Sequence, residues 1–317
     1  MNRPAASATP APDPNIAVTL DELLAQRLRV PASVRTAPSL ARAPMAGAHA
    51  GRTRGRGMDY VESRAYEPGD DMRQIDWRVT ARTGRMHTKL FQEERERIFM
   101  VLGDTHASLQ FGTRVRFKSV QAARAQALAT WLAVRAGERV GAVAFGAVQH
   151  AMKPRGGQRG ALALAGAWVD WDRQVRAQSA PAREPLSAAL ARAATLMRGA
   201  GQVLLVTDGQ CVDDDARAHL LQLRRRADVS VLIVADALEL AAPPAGRYPV
   251  EVGGLRRLLD LRGAAQRQHF HEQLGQGVAH ITALCRALGL RHRIIDTAVD
   301  PLDAVLALRS GRGEVAA

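Results

Sequence analysis

The sequence predicts an α/β fold in which a doubly wound, mostly parallel sheet follows a small α+β appendage. Short, continuous apolar runs recur from residue 98 onward, and segments with helical periodicity separate them. Strands that are apolar throughout and alternate with helices form parallel sheets covered on both faces. The chain has 317 residues, 47% of them hydrophobic, which is enough for one large core.

The first 57 residues are predicted to be a mobile N-terminal tail with one short helix and a basic linker. Residues 1–18 are rich in alanine and proline and lack periodicity. Thr19 and Glu22 form a capping-box sequence, which predicts that a helix begins there and packs on its own domain. Four leucines form its apolar stripe: Leu20, Leu23, Leu24 and Leu28. Residues 31–57 are the predicted basic linker.

Residues 58–95 are predicted to form the appendage. Residues 58–66 and 86–92 alternate as strands do, and Pro68-Gly69 predicts a turn between them. Asp70 or Asp71 is expected to cap a short helix, because a short carboxylate accepts the first free backbone N–H groups. Three apolar residues are expected to share one face of that helix: Met72, Ile75 and Val79.

Residues 96–317 are predicted to form the large domain. Its expected strands are 98–102, 139–145, 202–207, 229–235 and 291–296, with a short edge strand at 248–252. Its expected helices are 117–136, 159–169, 185–199, 214–226, a long helical region ending at 288, and 301–309. Such sheets bind ligands at the carboxyl ends of their strands, which directs attention to Asp104 and Asp208.

The appendage carries a dense series of motifs in a fixed order. They are Arg64, Tyr66, Pro68-Gly69-Asp70-Asp71, Arg73, Ile75-Asp76-Trp77, Ala81-Arg82 and Lys89-Leu90-Phe91. In this order they resemble the bacterial family catalogued as domain of unknown function 58. The resemblance implies that a von Willebrand factor A-like, Rossmann-like domain follows. It also implies a non-enzymatic, chaperone-like partner of MoxR-type AAA+ ATPases that helps to assemble or activate an unknown client protein.

Von Willebrand factor A-like domains carry a metal-ion-dependent adhesion site with an Asp-x-Ser-x-Ser loop, and the resemblance places its remnant here. Asp104, Ser108 and Asp208 are retained, whereas His106 replaces the middle serine. The expected threonine near residue 185 is also missing, and only Glu184 or Ser187 stands nearby. Mg²⁺ prefers oxygen ligands, and an imidazole suits softer ions such as Zn²⁺. The favoured interpretation is therefore a degenerate site in which Asp104 orders its loop, and the alternative is a weakly bound Mg²⁺.

The run of acids and arginines at residues 64–82 has three interpretations. The favoured one is a structural network in which carboxylates pair with Arg64, Arg73 and Arg82. The second is a docking surface with Trp77 as its anchor. The third is a metal-dependent hydrolase that uses three carboxylates, Asp70, Asp71 and Asp76.

Composition narrows the remaining function classes. The net charge is +13, but the positive charge is almost all arginine and is spread along the chain away from stacking aromatics, so no specific nucleic-acid binding is expected. Cys211 and Cys285 lack metal-ligand spacing and fit a reducing compartment. No leader or transmembrane run is recognisable. The sequence thus predicts a cytoplasmic, non-enzymatic interaction protein.

Overall fold

The computed structural model describes residues 13–31, 58–93, 97–179, 183–197, 201–252 and 255–310. They belong to two compact units: a small unit that contains residues 58–93, and a large unit that contains the others. Residues 13–31 therefore group with the large unit, whereas the sequence placed them in a separate N-terminal segment. The predicted tail at 1–12 and most of the predicted linker, residues 32–57, lie outside the described residues.

The N-terminal segment packs on the large unit through helix α1, Leu20–Ala25, and a following 3₁₀ turn, Gln26–Arg29. Leu23 is buried, and its carbonyl accepts a hydrogen bond of 3.2 Å from Trp131 Nε1. Two details of the prediction are wrong. The Thr19 side chain makes no capping hydrogen bond, and Leu28 is 88% exposed because the chain has already left the α-helix there.

The small unit is a two-stranded antiparallel sheet, β1 at Met58–Ala65 and β2 at His87–Glu93, with a 3₁₀ turn at Met72–Gln74 and helix α2 at Trp77–Thr83 between the strands. The prediction of one helix from residue 72 to residue 79 is wrong. Ile75 interrupts it, because this residue is extended and buried and forms an isolated bridge to Thr88. The chain consequently needs a second helix start, and Asp76 provides it.

The large unit contains the remaining elements. Its strands are β3 (Ile98–Asp104), β4 (Arg139–Phe145), β5 (His150–Arg155), β6 (Gly201–Thr207), β7 (Ala227–Ala235), β8 (Arg247–Val252), β9 (Leu255–Asp260) and β10 (Arg291–Asp296). Its helices are α3 (Lys118–Arg135), α4 (Gly157–Ala177), α5 (Leu186–Leu196), α6 (Ala216–Arg224), α7 (Ala237–Leu240), α8 (Ala264–Leu274), α9 (Gln276–Ala287) and α10 (Leu302–Arg309). The main sheet has the order β10-β7-β6-β3-β4-β5, and every pairing is parallel except that of β5 with β4.

The sheet is buried on both faces, which confirms the predicted doubly wound α/β class. Along β3, Phe99 and Val101 join the cluster under α1, α3, α4 and α10, whereas Met100 and Leu102 join the cluster under α5, α6 and α9. Successive residues of a strand point to opposite faces, so a strand between two helical layers must be apolar throughout. This requirement explains the continuous apolar runs in the sequence.

The chain reverses its winding direction between β3 and β6. Helix α3 leads from β3 to β4 across one face, and α6 leads from β6 to β7 across the other. The carboxyl ends of β3 and β6 therefore flank the topological switch point, where doubly wound folds form their ligand crevice. Asp104 and Asp208 stand at these two ends.

Several boundaries in the large unit differ from the prediction. Strand β5 was not anticipated, because its alternation is weak at an exposed antiparallel edge. Strand β8 pairs with β9 in a separate hairpin and does not lie at the edge of the main sheet. The long helical region is two helices that meet at Gly275, and α4 extends to Ala177.

Candidate functional site

Four parallel strands of the main sheet end on aspartates at the same edge. Asp104 and Asp296 are the last residues of β3 and β10, and Asp208 and Asp236 directly follow β6 and β7. Each carboxylate accepts a hydrogen bond from the backbone N–H two positions further along the chain, at 2.8–3.1 Å. Aspartate favours such local turns because its side chain is short enough to replace a backbone acceptor. These aspartates therefore stabilise the turns that follow the strands at the ligand edge.

The Asp104 carboxylate is enclosed by protein donors. Its Oδ1 lies 2.9 Å from the backbone nitrogen of His106 and 2.7 Å from the Nδ1 atom of the same residue. Its Oδ2 accepts from the Thr207 hydroxyl at 2.6 Å and lies 3.4 Å from the Cys211 sulfur. The Asp104 side chain is fully buried. It therefore ties the loop after β3 to the loop after β6.

His106 is the side-chain hydrogen-bond partner of Asp104. Burial by itself would lower the pKa of the imidazole, but the hydrogen bond and charge of Asp104 outweigh burial and raise that pKa above its usual value. A hydrogen bond to the Glu184 backbone acts in the same direction. Gly146, which has a φ of 103°, packs against the ring, and a Cβ atom there would lie 2.6 Å from Nδ1. Only glycine fits at that position.

Asp208 is neutralised by a lysine. Lys118, the first residue of α3, is 1% exposed, and its Nζ atom lies 2.9 Å from Asp208 Oδ2 and 2.6 Å from Glu239 Oε1. Burial favours the neutral amine, but the two carboxylates outweigh it and hold the pKa of Lys118 above its usual value. Glu239 in turn accepts from the Asp236 N–H in the capping box of α7. One ammonium group thus joins the starts of two helices to the end of β6.

A hard divalent ion does not fit the adhesion-site positions. The Lys118 ammonium lies beside Asp208, and both oxygens of Asp104 already accept from protein donors. Glu184, one of the two replacements considered for the missing threonine, pairs with Arg192 and accepts from the Gly146 N–H. Mg²⁺ requires a near-octahedral set of oxygens, and the arrangement provides cationic, imidazole and sulfur groups at those places.

The other adhesion-site candidates do not complete an oxygen set. The Ser108 hydroxyl is buried and has no hydrogen-bond partner within the described residues. The backbone N–H of Ser187 donates to Asp213 at 2.9 Å. The Thr105 hydroxyl donates to the Phe145 carbonyl at 2.7 Å, so its proton is already used within the protein.

In the small unit, the carboxylates of the acid–arginine run serve as local caps. Asp76 accepts from the backbone N–H groups of Arg78 and Val79 and from the Ser63 hydroxyl at 2.6 Å. The Ser63 hydrogen bond, followed by that of Val79, lowers the pKa of Asp76. Asp71 accepts from the Arg73 N–H at 3.0 Å.

The arginine network predicted for this run forms only in part. Arg64 binds Asp70 at 2.7 Å, and the Tyr66 N–H donates to the Met86 carbonyl. Within the described residues, neither Arg73 nor Arg82 forms a salt bridge, and both are exposed. Fewer ion pairs form than predicted, because backbone N–H groups at turns and helix starts donate to the carboxylates.

Two large apolar side chains of the same run are exposed. Trp77 is 68% exposed at the first turn of α2, and Met72 is 64% exposed in the preceding 3₁₀ turn. Neither contributes to the core of the small unit. A tryptophan left in water on a short helix is uncommon, and tryptophan is enriched among the residues that dominate binding energy at protein interfaces.

Comparison with known proteins identifies the family. A family model described as "Protein of unknown function DUF58" matches residues 62–280, more than half of the chain. The chain belongs to the DUF58 family. Uncharacterized proteins of Mycobacterium tuberculosis (strain H37Rv) and Mycobacterium bovis are each 40% identical to it over 114 residues, which is 36% of this chain and 36% of each relative. The matched part thus spans about a third of those relatives.

Solved structures show only remote likeness. The conserved hypothetical protein BatB from Bacteroides thetaiotaomicron is 13% identical with a TM-score of 0.36, covering 69% of this chain and 98% of its own. A D319A mutant of the PilB minor pilin from Streptococcus sanguinis is 12% identical with a TM-score of 0.37, covering 71% and 63%. Among the described residues of the DUF58 chain, no helix is both long and apolar enough to cross a membrane.

Sequence reasoning missed three residues of the DUF58 edge: Lys118, Thr207 and Cys211. Lys118 lies 90 residues from Asp208 and 121 residues from Glu239 along the chain, so no local spacing reveals the contact. One signal was available for it, since it is one of only three lysines in an arginine-rich chain. Cys211 stands only three residues after Asp208, and this spacing was the available signal for it; its separation from Cys285 says nothing about a site shared with aspartates.

Proposed function

We propose that this DUF58 protein is a non-enzymatic interaction protein that docks on a MoxR-type AAA+ ATPase and acts with it on a client protein. The observation that carries the docking role is the exposure of Trp77 and Met72 within the family motifs. The ATPase as partner follows from the motif resemblance. The proposal places the protein in the cytoplasm, where such an ATPase has ATP.

The chemistry of the docking surface follows from the neighbours of Trp77 in α2. Arg78 and Arg82 are exposed, and Arg73 is exposed just before the helix. An aromatic anchor flanked by arginines suits a partner surface that has an apolar pocket with an acidic rim. The arginines would mainly accelerate encounter, because exposed charges are screened within about 10 Å at ordinary salt.

A non-catalytic role is supported by the use of the acidic groups. Each of the three carboxylates proposed for a hydrolase, Asp70, Asp71 and Asp76, accepts a backbone N–H at a turn or helix start. A general base needs a lone pair directed at its substrate, and a metal ligand needs one directed at the ion. No observation favours the hydrolase alternative.

The two aspartates at the sheet edge are not part of the proposed docking surface. Asp104 and Asp208 have fully buried side chains, so a partner cannot touch their carboxylates. Their substitution would alter loops, and any resulting loss of binding would not identify contact residues. The docking test therefore belongs on the small unit.

The test measures binding of the full chain to the purified MoxR-type ATPase by interferometry, in a non-hydrolysable ATP analogue and in ADP. We expect Trp77→Ala to weaken binding by about 2 kcal/mol or more, as substitution of an anchoring tryptophan does. We also expect its melting temperature to match that of the wild type, because Trp77 buries little surface. Binding should differ between the two nucleotide states, since the ATPase is the partner that switches.

Leu28→Ala is the matched control. Leu28 is more exposed than Trp77 but lies in the large unit outside the family motifs. The proposal requires Leu28→Ala to bind like the wild type. If Trp77→Ala and the double variant Trp77→Ala/Met72→Ala also bind like the wild type, the small unit is not the docking surface.

A further inference from the structure

We propose that the DUF58 edge contains a binding site for a soft divalent metal ion, Zn²⁺ or a similar ion, formed by Asp104, His106 and Cys211. A ring nitrogen of His106, a carboxylate oxygen of Asp104 and the Cys211 Sγ atom all lie within 4.8 Å of one another. Within the described residues they are the only group of three or more histidine, cysteine or acidic side chains with this proximity. The inference does not depend on the proposed ATPase partner.

The distances are close to those of a zinc complex. Nδ1 of His106 lies 2.7 Å from Asp104 Oδ1, and Sγ of Cys211 lies 3.4 Å from Asp104 Oδ2. Ligand atoms around a tetrahedral zinc ion stand about 3.3–3.8 Å apart, given its bond lengths of about 2.0–2.3 Å. The nitrogen and oxygen would need to separate by about half an ångström, which a side-chain rotation can supply. In the complex, the His106 nitrogen and the Cys211 sulfur would bind the ion and would no longer hydrogen-bond to Asp104.

Contacts outside the ligand set hold these groups in place. The His106 backbone N–H and the Thr207 hydroxyl both donate to Asp104. The imidazole also hydrogen-bonds to the Glu184 backbone. Metal-ligating histidines and carboxylates are commonly oriented by such outer contacts. These contacts keep the three ligand residues close together before an ion arrives, so that only side-chain rotations are needed on binding.

Three protein ligands leave a fourth position. A cavity of about 40 Å³ borders Asp104 and His106. Three of its other lining residues carry a buried polar atom that has no hydrogen-bond partner within the described residues: Ser119, Gln110 and Trp168. A cavity of that volume has room for about one to three water molecules. Zinc sites with three protein ligands complete their tetrahedron with water. The cavity therefore gives a water molecule room beside two of the three proposed ligands, Asp104 and His106.

The ligand types select the ion. Imidazole and thiolate favour Zn²⁺ and other soft or borderline ions over Mg²⁺. Asp208, the other aspartate of the switch point, does not compete for the ion, because it is paired with the Lys118 ammonium. The proposed site shares Asp104 with an adhesion-type magnesium site but has nitrogen and sulfur ligands in place of Asp208 and the serine oxygens.

The test uses untagged full-length protein that has been stripped with a chelator and then dialysed against Co²⁺. We expect one cobalt per chain by elemental analysis and a near-ultraviolet sulfur-to-cobalt charge-transfer band that added Zn²⁺ removes. Cys211→Ser should lose this band and lower the apparent Zn²⁺ affinity at least about tenfold. Cys285→Ser is the matched control, because Cys285 is also buried but belongs to no such ligand cluster among the described residues. It should keep the band.

Two results would overturn the proposal: wild-type protein that takes up neither cobalt nor zinc, or a charge-transfer band that persists in Cys211→Ser. If Cys211→Ser does not fold, His106→Gln replaces it, with the Zn²⁺-dependent rise in melting temperature as the readout. A rise in the wild type that His106→Gln lacks supports the site. An equal rise in both proteins contradicts it.

Discussion

Replacing Lys118 by methionine tests whether the ligand edge is held by an internal cation. The substitution keeps an apolar stem of similar length but removes the ammonium between Asp208 and Glu239. All three side chains are buried, and the two contacts measure 2.9 and 2.6 Å. Removing one partner of such a group leaves uncompensated charge in a site that water does not reach.

We expect Lys118→Met to lower the free energy of unfolding by about 3–5 kcal/mol at neutral pH. Asp208 keeps a hydrogen bond from the Gln210 N–H, and Glu239 keeps one from the Asp236 N–H, so the cost should not exceed this range. A domain has about 5–15 kcal/mol of stability, so the variant should still fold.

The pH dependence of the loss identifies its cause. Burial already raises the pKa of Glu239, and removing Lys118 raises it further. A carboxyl group whose folded pKa exceeds its unfolded pKa contributes stability below the unfolded value and loses it as the pH rises through the folded value. The deficit of Lys118→Met should therefore shrink when the pH falls from neutral to about 5.

The assay is urea unfolding followed by tryptophan fluorescence. A Trp77→Phe background removes the tryptophan of the small unit, so the signal comes from Trp131, Trp168 and Trp171, which are buried in the large unit. The matched control adds Asp208→Asn and Glu239→Gln to Lys118→Met, which removes the uncompensated charges and should restore most of the stability. A loss below about 1 kcal/mol, typical of an exposed pair, or a loss independent of pH, would refute the argument.

Three further predictions concern the two candidate sites. Asp76→Ala should lower the melting temperature of the small unit more than the exposed-turn control Asp71→Ala, because Asp76 caps α2 and binds Ser63; equal melting of the two variants would contradict this. Because the folded pKa of His106 is raised, the stability that it adds should be fully present below about pH 6.5 and decline above it, and His106→Gln should lack this decline in urea titrations. Calorimetric titration should detect no micromolar Mg²⁺ binding, and His106→Ser alone should not create it while Lys118 holds Asp208.

The fold could be predicted because its signals are local. An apolar run such as Ile98–Asp104, followed by the periodic apolar pattern of Lys118–Arg135, identifies a strand and a helix without knowledge of their neighbours. The prediction was wrong where tertiary contacts decide the outcome. Ile75 interrupts a good helical pattern because it bridges to Thr88 in the small unit, and burial there outweighs helix propensity.

The candidate site could be predicted only in part, because tertiary contacts decide which groups surround its aspartates. Asp104 and Asp208 follow apolar strands, so their meeting at one edge follows from the topology. Their neutralising partners do not, because the contact of Lys118 with Asp208 and that of Cys211 with Asp104 each join distant parts of the chain. The adhesion-site pattern predicts oxygen ligands at these positions, whereas the folded chain places a lysine ammonium, an imidazole and a thiol there.

The two aspartates at the switch point have different side-chain partners. This difference allows stability and metal binding to be tested separately. The Asp208 contact depends on an ammonium, which cannot coordinate an ion because all its lone pairs are used. The Asp104 contact depends on an imidazole and a thiol, both of which can. Lys118→Met should therefore lower stability and leave the cobalt spectrum intact, whereas Cys211→Ser should remove the charge-transfer band with a smaller loss of stability. If either substitution changes both properties by the full amount, the two halves of the edge act as one unit, and the separate roles assigned to them are wrong.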